Sequence, residues 1–239
     1  MLYKEIIKKL NKNSLYTRKQ LYEVLHNEKP NLSYNSLKWI VSNMEKNSLI
    51  VRKQRGLYSL KINDKSSKQE YVPKLDKHSN NLCALITKKF PLVNFVCFES
   101  RQLNEFLNQL IAKNTYFIIV EKKASEAVFR YLQEQNIDNI LLRPNEKEFD
   151  AYWKSECIIV LNLISEFPKN KNSNHCISLE QLLVDLVSEK CFDYLYSKSE
   201  ISNIYSNAYK IYKIDTVRLL RYARRRGKEK EIREILEVL

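Results

Sequence analysis

Only two glycines occur in the 239 residues, and this scarcity limits more than any other feature what the chain can fold into. Average usage would give roughly 17 glycines in a chain of this length. The motifs G-x-G-x-x-G, G-x-x-x-x-G-K-[ST] and G-x-S-x-G need glycine where the backbone turns tightly or approaches a phosphate. None of them is present. The sequence therefore excludes the dinucleotide-binding, P-loop and nucleophile-elbow sites that depend on these motifs.

The cysteines and histidines show no metal or disulfide pattern. The cysteines are odd in number and form no C-x-x-C pair, which favours reduced thiols that act as small apolar side chains. They are Cys83, Cys97, Cys157, Cys176 and Cys191. His175 and Cys176 are adjacent, but a zinc site needs four clustered ligands. We therefore predict no bound metal and no cofactor.

The chain also lacks the apolar segments of a secreted or membrane protein. Its first residues, MLYKEIIKKLNKN, are amphipathic and contain no apolar signal-peptide core. No stretch approaches the length of apolar sequence that spans a bilayer. We expect a cytoplasmic protein without a membrane partner.

Positive charge is concentrated at the two ends of the chain. Residues 1–76 contain 16 Lys and Arg against 7 Asp and Glu, a net charge of +9. Residues 77–209 contain 15 against 16, and residues 210–239 contain 10 against 5, a net charge of +5. This distribution predicts two separate electropositive surfaces on either side of a neutral middle part.

A polar stretch divides the chain into two predicted domains. Residues 61–78, KINDKSSKQEYVPKLDKH, include a proline and show no apolar periodicity. Such a composition is typical of a linker. We therefore predict domains at residues 1–60 and 79–239.

The first domain has the element order of a winged helix-turn-helix. Apolar spacing predicts three helices, on Leu2, Ile6, Ile7 and Leu10, on Leu21, Val24 and Leu25, and on Leu37, Ile40, Val41 and Met44. Thr17 and Gln20 form a capping-box pattern before the second helix, and Ser33 can cap the third. The β-prone runs 49–52 and 57–60 flank a turn that contains one of the two glycines, as in a hairpin.

The third helix and the hairpin carry the residues expected to contact double-stranded DNA. Such a helix enters the major groove, where polar side chains near its N-terminus reach base edges, while cations on the wing bind phosphates. The predicted DNA-binding residues are Asn35, Ser36, Lys38, Trp39, Ser42, Arg52, Lys53 and Arg55. Trp39 has two interpretations: it packs on the sugar-phosphate backbone, or it covers the hairpin. A protein-docking module with a solvated lysine-rich face is the alternative for the whole domain.

Helices and strands alternate in the second domain. The runs 95–98, 116–120, 140–142 and 157–161 are short and apolar, as in strands covered on at least one face. Helical patterns separate them, including one on residues 99–112, and helices alone follow residue 178. The fold class predicted for the chain is α+β: a winged helix-turn-helix, then an α/β domain with a small mixed sheet and a helical C-terminus.

Five arginines lie on one of these C-terminal helices, predicted at residues 216–226, which Asp215 can cap and Gly227 can end. They are Arg218, Arg221, Arg224, Arg225 and Arg226. They can hold RNA or DNA phosphates by bidentate contacts. They can equally stabilise the last helical turn and pair with acids such as Glu180 or Asp185. The sequence leaves both interpretations open.

One pattern suggests an enzyme. Glu121 and Lys123 follow the strand on 116–120, the arrangement in which metal-dependent nucleases of the restriction-endonuclease type place a Glu and a Lys. Metal-assisted hydrolysis needs at least two converging acids, and the preceding strand offers only Glu99. We therefore predict a protein without catalytic residues and keep this nuclease as an alternative.

Four segments resemble the antitoxin component of AbiE-type toxin–antitoxin systems. They are RGLYSL at 55–60, VEKKASEAVF at 120–129, LEQLLVDL at 179–186 and LLRYARRRGK at 219–228, of which the last is the most distinctive. The chain is similar to the AbiEi-type antitoxins, which are transcriptional regulators of type IV toxin–antitoxin systems, or to a close relative with the same layout.

The resemblance implies a regulator that represses its own operon at inverted repeats and counteracts a nucleotidyltransferase-type toxin in phage abortive infection. It places Arg55-Gly56 and residues 36–44 in the DNA-binding module and the C-terminal arginines on the antitoxicity surface. In such systems the antitoxin acts without a stable complex with the toxin. Besides the nuclease, a non-enzymatic adaptor that binds a partner protein remains an alternative.

Overall fold

The structure, a computed structural model, describes residues 10, 15–28, 30–31, 33–47, 49–60, 68–173 and 175–239. The helix predicted on Leu2, Ile6, Ile7 and Leu10 lies outside these residues except for Leu10, whose side chain is buried. Much of the predicted linker, residues 61–67, also lies outside them.

The described N-terminal part contains two helices and three short strands. These are β1 Tyr16–Thr17, α1 Arg18–Glu28, α2 Tyr34–Lys46, β2 Ile50–Gln54 and β3 Leu57–Leu60. The capping box predicted before α1 forms, because the Thr17 amide donates to the Gln20 side chain at 2.9 Å and the Gln20 amide donates to the Thr17 hydroxyl at 3.2 Å. The Ser33 hydroxyl accepts from the Ser36 amide and caps α2, as predicted.

The three strands form one antiparallel sheet in the order β1-β3-β2. Gly56 turns the β2–β3 hairpin with φ of +78°, a conformation that glycine adopts without steric cost. The helices and this sheet share an apolar core, and its buried members are Leu10, Leu21, Leu25, Ile40, Val41, Met44, Ile50, Tyr58 and Leu60.

The rest of the chain contains a four-stranded sheet, one 3-10 helix and eight α-helices among its described residues. In chain order the elements are α3 Lys77–Lys89, β4 Phe95–Glu99, the 3-10 helix Ser100–Glu105, β5 Thr115–Glu121, α4 Ser125–Glu134, β6 Ile140–Leu142, α5 Glu146–Tyr152, β7 Cys157–Leu163, α6 Leu179–Ser188, α7 Lys190–Asp193, α8 Lys198–Ile211, α9 Thr216–Arg225 and α10 Glu229–Val238. The sheet order is β4-β5-β7-β6, with β4 antiparallel to β5 and the other pairs parallel. The mixed α and β composition, the small mixed sheet and the helical C-terminus are therefore confirmed.

The helix predicted on residues 99–112 is wrong. Only a 3-10 helix forms there, and the chain continues without a helix after Glu105. Leu103 and Phe106 are buried, but Leu110, which the periodicity placed on the same inward face, is 79% exposed. The Asn104 side chain accepts from the Ile111 amide at 2.7 Å. In a helix that amide would instead donate to a backbone carbonyl, so the side chain competes with helix formation.

The two faces of this sheet bury two separate cores. Helices α3 and α4 cover one face, where Leu82, Ile86, Val128 and Leu132 pack on the sheet. The C-terminal helices α6 to α10 cover the other face. Leu15, which precedes β1, is buried in this second core, and Leu57 of β3 packs against it, so the N-terminal part contacts the rest of the chain through both leucines.

The end of α9 shows how the second glycine is used. The Asp215 side chain caps the helix by accepting from the Val217 and Arg218 amides. Gly227, with φ of +68°, follows the helix, and the Lys228 amide donates to the Ala223 carbonyl at 2.9 Å. This Schellman motif satisfies carbonyls at the helix end and turns the chain into α10. None of the described helices is long and apolar enough to cross a membrane.

Candidate nucleic-acid interface

Helix α2 has one buried and one exposed face. Ile40, Val41 and Met44 are buried in the N-terminal core. The candidate DNA-contacting residues of α2 are all exposed: Asn35, Ser36, Lys38, Trp39 and Ser42. Residues 35, 38, 39 and 42 follow the helical repeat and so share one face. This side of α2 is available to a ligand.

Trp39 stands out on this face because its side chain is 65% exposed. It belongs neither to the buried N-terminal core nor to the partly buried side chains packed on that core. The interpretation in which Trp39 covers the hairpin therefore has no support. Trp is enriched at interfaces, so the exposed ring beside Lys38 stays a candidate contact residue.

The hairpin adds three cations. Arg52, Lys53 and Arg55 are exposed, and the burial pattern of β2 leaves only Ile50 inside. The sequence contains no acidic residue between Lys46 and Leu60. Within the part of the chain that the structure describes, none of these cations forms an ion pair. Their positive charge is left uncompensated in the hairpin.

Two further exposed cations were missed by the sequence analysis. Arg18 and Lys19 occupy the first turn of α1, and the Arg18 Nε donates to the Tyr58 hydroxyl at 3.2 Å. Tyr58 pairs in register with Arg52, so Arg18 extends the basic surface of the hairpin. The sequence did contain a signal for these two residues. The helix dipole favours acids in the first helical turn, so two cations at that position are unusual.

The C-terminal arginines are arranged differently, because most of them meet acids. Arg224 donates to Glu229 at 2.6 Å, and Arg225 contacts Glu166 at 3.1 Å. Arg218 lies 3.9 Å from Glu180 and donates to the Lys169 carbonyl. Arg221 is exposed and has no hydrogen bond or ion pair within the described residues. The hydrogen bond from Arg224 lowers the pKa of Glu229 to about 2.

Arg226 departs from the expected surface altogether. Its side chain is only 9% exposed and lies 3.6 Å from Asp185, donates to Ser188 at 2.9 Å and pairs with Glu189. Asp185 is 2% exposed. Its carboxylate also accepts hydrogen bonds from the Tyr222 hydroxyl at 2.9 Å and from the side-chain amide of Gln181 at 3.2 Å. Burial raises the pKa of Asp185 to about 7, and Arg226 opposes that rise. The buried network has a physical reason: Arg226 leaves the end of α9 facing α6, which carries Asp185.

The nuclease pattern does not converge in the structure. Glu121 ends β5 and accepts from the Asn94 side chain. Because β4 runs antiparallel, Glu99 pairs in register with Tyr116 and lies at the opposite end of the sheet from Glu121. Lys122 and Lys123 are exposed. Within the described residues, no group of three or more His, Cys, Asp or Glu side chains is placed to hold a metal ion.

His175 and Cys176 are packed into the fold. The His175 ring stacks on Phe95 with ring centroids 4.3 Å apart, and Cys176 is 6% exposed. Their backbone covers the free edge of β4, because the Cys97 amide donates to the His175 carbonyl at 2.7 Å. These contacts hold both residues in the fold, although the buried His175 Nδ1 has no hydrogen-bond partner within the described residues.

Comparison with known proteins gives a family model and distant similarity to solved structures. A model described as "Family of unknown function (DUF6577)" matches residues 36–239. A solved structure, the RV2827C protein from Mycobacterium tuberculosis, is similar with a TM-score of 0.25 and 7% sequence identity, over 99% of this chain and 79% of that one. No curated protein matches the chain.

Proposed function

The chain belongs to the DUF6577 family, and we propose that it is a DNA-binding transcriptional regulator of the antitoxin type. The proposed DNA-binding unit is a winged helix-turn-helix in which α2 is the recognition helix and the β2–β3 hairpin is the wing. Its ligand is double-stranded DNA, with an operator of inverted repeats in its own operon as the expected site.

A single observation supports DNA binding most strongly. All eight residues predicted to contact DNA are exposed on α2 and the hairpin, while the opposite face of α2 is buried in its own core. Lys38, Arg52, Lys53 and Arg55 have no acidic partner within the described part of the chain, so binding phosphates would not first require breaking an ion pair. The β1-β3-β2 sheet beside two helices supports the winged-helix assignment.

The antitoxin part of the proposal rests on the sequence resemblance. A nucleotidyltransferase toxin, which the protein counteracts without a stable complex, is the partner that this resemblance implies. The pairing of Arg218, Arg224, Arg225 and Arg226 with acids favours a structural role for most of the C-terminal arginines over RNA binding. Arg221 is the arginine of this set that remains available on the surface.

The experiment compares two double variants of matched charge in binding to a duplex that covers the region upstream of the protein's own gene. Lys38→Ala/Arg55→Ala removes two cations from the proposed interface. Lys147→Ala/Arg130→Ala removes two exposed cations from α5 and α4. Fluorescence anisotropy over a range of salt concentrations gives both the Kd and its salt dependence.

We expect the interface variant to bind about 10-fold or more weakly and to lose roughly two units of salt slope, one for each phosphate contact removed. The control should bind as the unaltered protein does. Equal affinity and equal salt slope for both variants would show that the assigned surface is wrong. Binding of a neighbour-encoded protein without any DNA binding would instead support the adaptor.

For the antitoxin role, the protein is co-expressed with the product of the adjacent reading frame. Restored growth with the full chain, without co-purification of the two proteins, is the expected result. An adjacent frame that encodes no toxin would leave a DNA-binding regulator and remove the antitoxin role.

A further inference from the structure

Two buried thiols face each other between α3 and β4. Cys83 lies on the buried face of α3 with Leu82 and Ile86. Cys97 lies on β4, where side chains alternate between the two faces of the sheet, and it points to the same core as Phe95. The Cys83 Sγ is 2.9 Å from the Cys97 Sγ. This separation is within about 1 Å of a disulfide bond length.

We propose that Cys83 and Cys97 form an oxidation site, in which a hydroperoxide closes a disulfide between them. One thiol, as its thiolate, attacks a peroxide oxygen and breaks the O–O bond, which gives a sulfenic acid and hydroxide. The second thiolate then attacks that sulfur, forms the S–S bond and displaces a second hydroxide. Each hydroxide takes up the proton that a thiol released and becomes water. Two thiols and one hydrogen peroxide thus give one disulfide and two waters, and the two electrons pass to the peroxide.

The other cysteines lack this arrangement. The Cys157 thiol donates to the Ile158 carbonyl and the Cys176 thiol to the Pro73 carbonyl. The Cys191 thiol is buried beside Glu189 and Asp185, on the other face of the sheet. Cys176 pairs with Cys97 in an isolated β-bridge and is the third thiol beside the pair. Within the described residues, however, the short Sγ–Sγ contact joins Cys83 and Cys97, so we expect this pair to be oxidised first.

The site should react slowly. Cys83 is 6% exposed and Cys97 is 3% exposed. The hydrogen bond with Cys83, together with burial, raises the pKa of Cys97 well above the usual thiol range. Since the thiolate is the reactive species, the reaction needs either excess peroxide or local opening of α3. The product would tie α3 to the edge strand of the sheet across a 14-residue separation.

The test uses the full chain. The protein is first reduced, the reductant is then removed, and hydrogen peroxide is added. Remaining thiols are alkylated in denaturant, and the intact mass counts them. Trypsin separates the two cysteines, because Lys88 and Lys89 lie between them, and yields peptides 78–88 and 90–101. We expect alkylation of three thiols instead of five and one cross-linked pair of these peptides.

Cys83→Ala and Cys97→Ala should each abolish this cross-link, while Cys157→Ala, another buried cysteine, should retain it. The wild-type peptide map alone decides the question if an alanine variant fails to fold. A cross-link between any other pair, or five alkylated thiols after prolonged treatment, would overturn the proposal. Oxidation of the chain in guanidinium should give mixed pairings, because the selectivity comes from the folded arrangement.

Discussion

Replacing Arg226 by methionine should destabilise the protein, and the loss should grow as the pH rises above about 7. The substitution keeps a long apolar side chain but removes the cation that lies 3.6 Å from buried Asp185. Tyr222 and Gln181 still donate to the carboxylate in the variant. The negative charge of Asp185, however, then has no cation beside it.

The magnitude follows from the pKa of Asp185. Burial raises this pKa from 3.8 to about 7 even with Arg226 present. Taken alone, the titration of Asp185 therefore lowers the stability of the unaltered protein by roughly 4 kcal/mol between about pH 4 and about pH 7 and contributes no further change above pH 7. Without Arg226 the folded-state pKa lies higher, so the loss continues at about 1.4 kcal/mol per pH unit. At a pH where Asp185 is fully ionised, removing the cation from this buried ion pair should cost about 3–5 kcal/mol.

Urea unfolding followed by circular dichroism at pH 6.0, 7.0, 8.0 and 8.5 measures this difference. Arg221→Met is the matched control: it removes an exposed arginine of the same helix and should change the free energy of unfolding by about 0.5 kcal/mol or less. Asp185→Asn combined with Arg226→Met removes both charges. This double variant should recover part of the stability and lose the dependence on pH.

A loss in Arg226→Met that is the same at every pH would refute the reasoning, because it would show that Arg226 acts through packing alone. A double variant less stable than Arg226→Met at pH 8.5 would refute it as well, since the cost would then not come from the unpaired charge of Asp185.

Three further predictions address other parts of the structure. Trp39→Ala should weaken DNA binding several-fold and change the free energy of unfolding by about 0.5 kcal/mol or less, because the ring is exposed; a loss above about 2 kcal/mol in urea unfolding would mean that the ring is packed. Gly227→Ala should cost about 1 kcal/mol in the same assay, because the position has φ of +68° and no neighbouring atom meets the added methyl group; an unchanged stability would contradict the strain. Arg224→Ala should raise the pKa of Glu229 from about 2 towards 4.5, which carboxyl NMR titration measures. The variant should also lose the stabilisation that the ionised Glu229 gives above pH 4.5, which in the unaltered protein disappears as the pH falls towards 2. An unchanged pKa would show that Arg224 does not hold the carboxylate.

The local features of this protein could be predicted from its sequence. Strands at 95–98, 116–120 and 157–161 could be predicted because a run of apolar residues buries itself on a covered sheet. The caps at Ser33 and Asp215 could be predicted because a cap joins residues two or three positions apart. The exposed face of α2 followed from its apolar repeat.

Tertiary structure alone decided which distant residues meet. Glu180 and Asp185 were possible partners for the arginines, yet only the packing of α9 on α6 brings Arg226 against Asp185 and leaves Arg221 exposed. Only the antiparallel register separates Glu99 from Glu121, and only the packing of α3 on β4 brings Cys83 to Cys97. Periodicity determines which face of an element is buried, but the neighbour that covers that face depends on the packing of the whole chain.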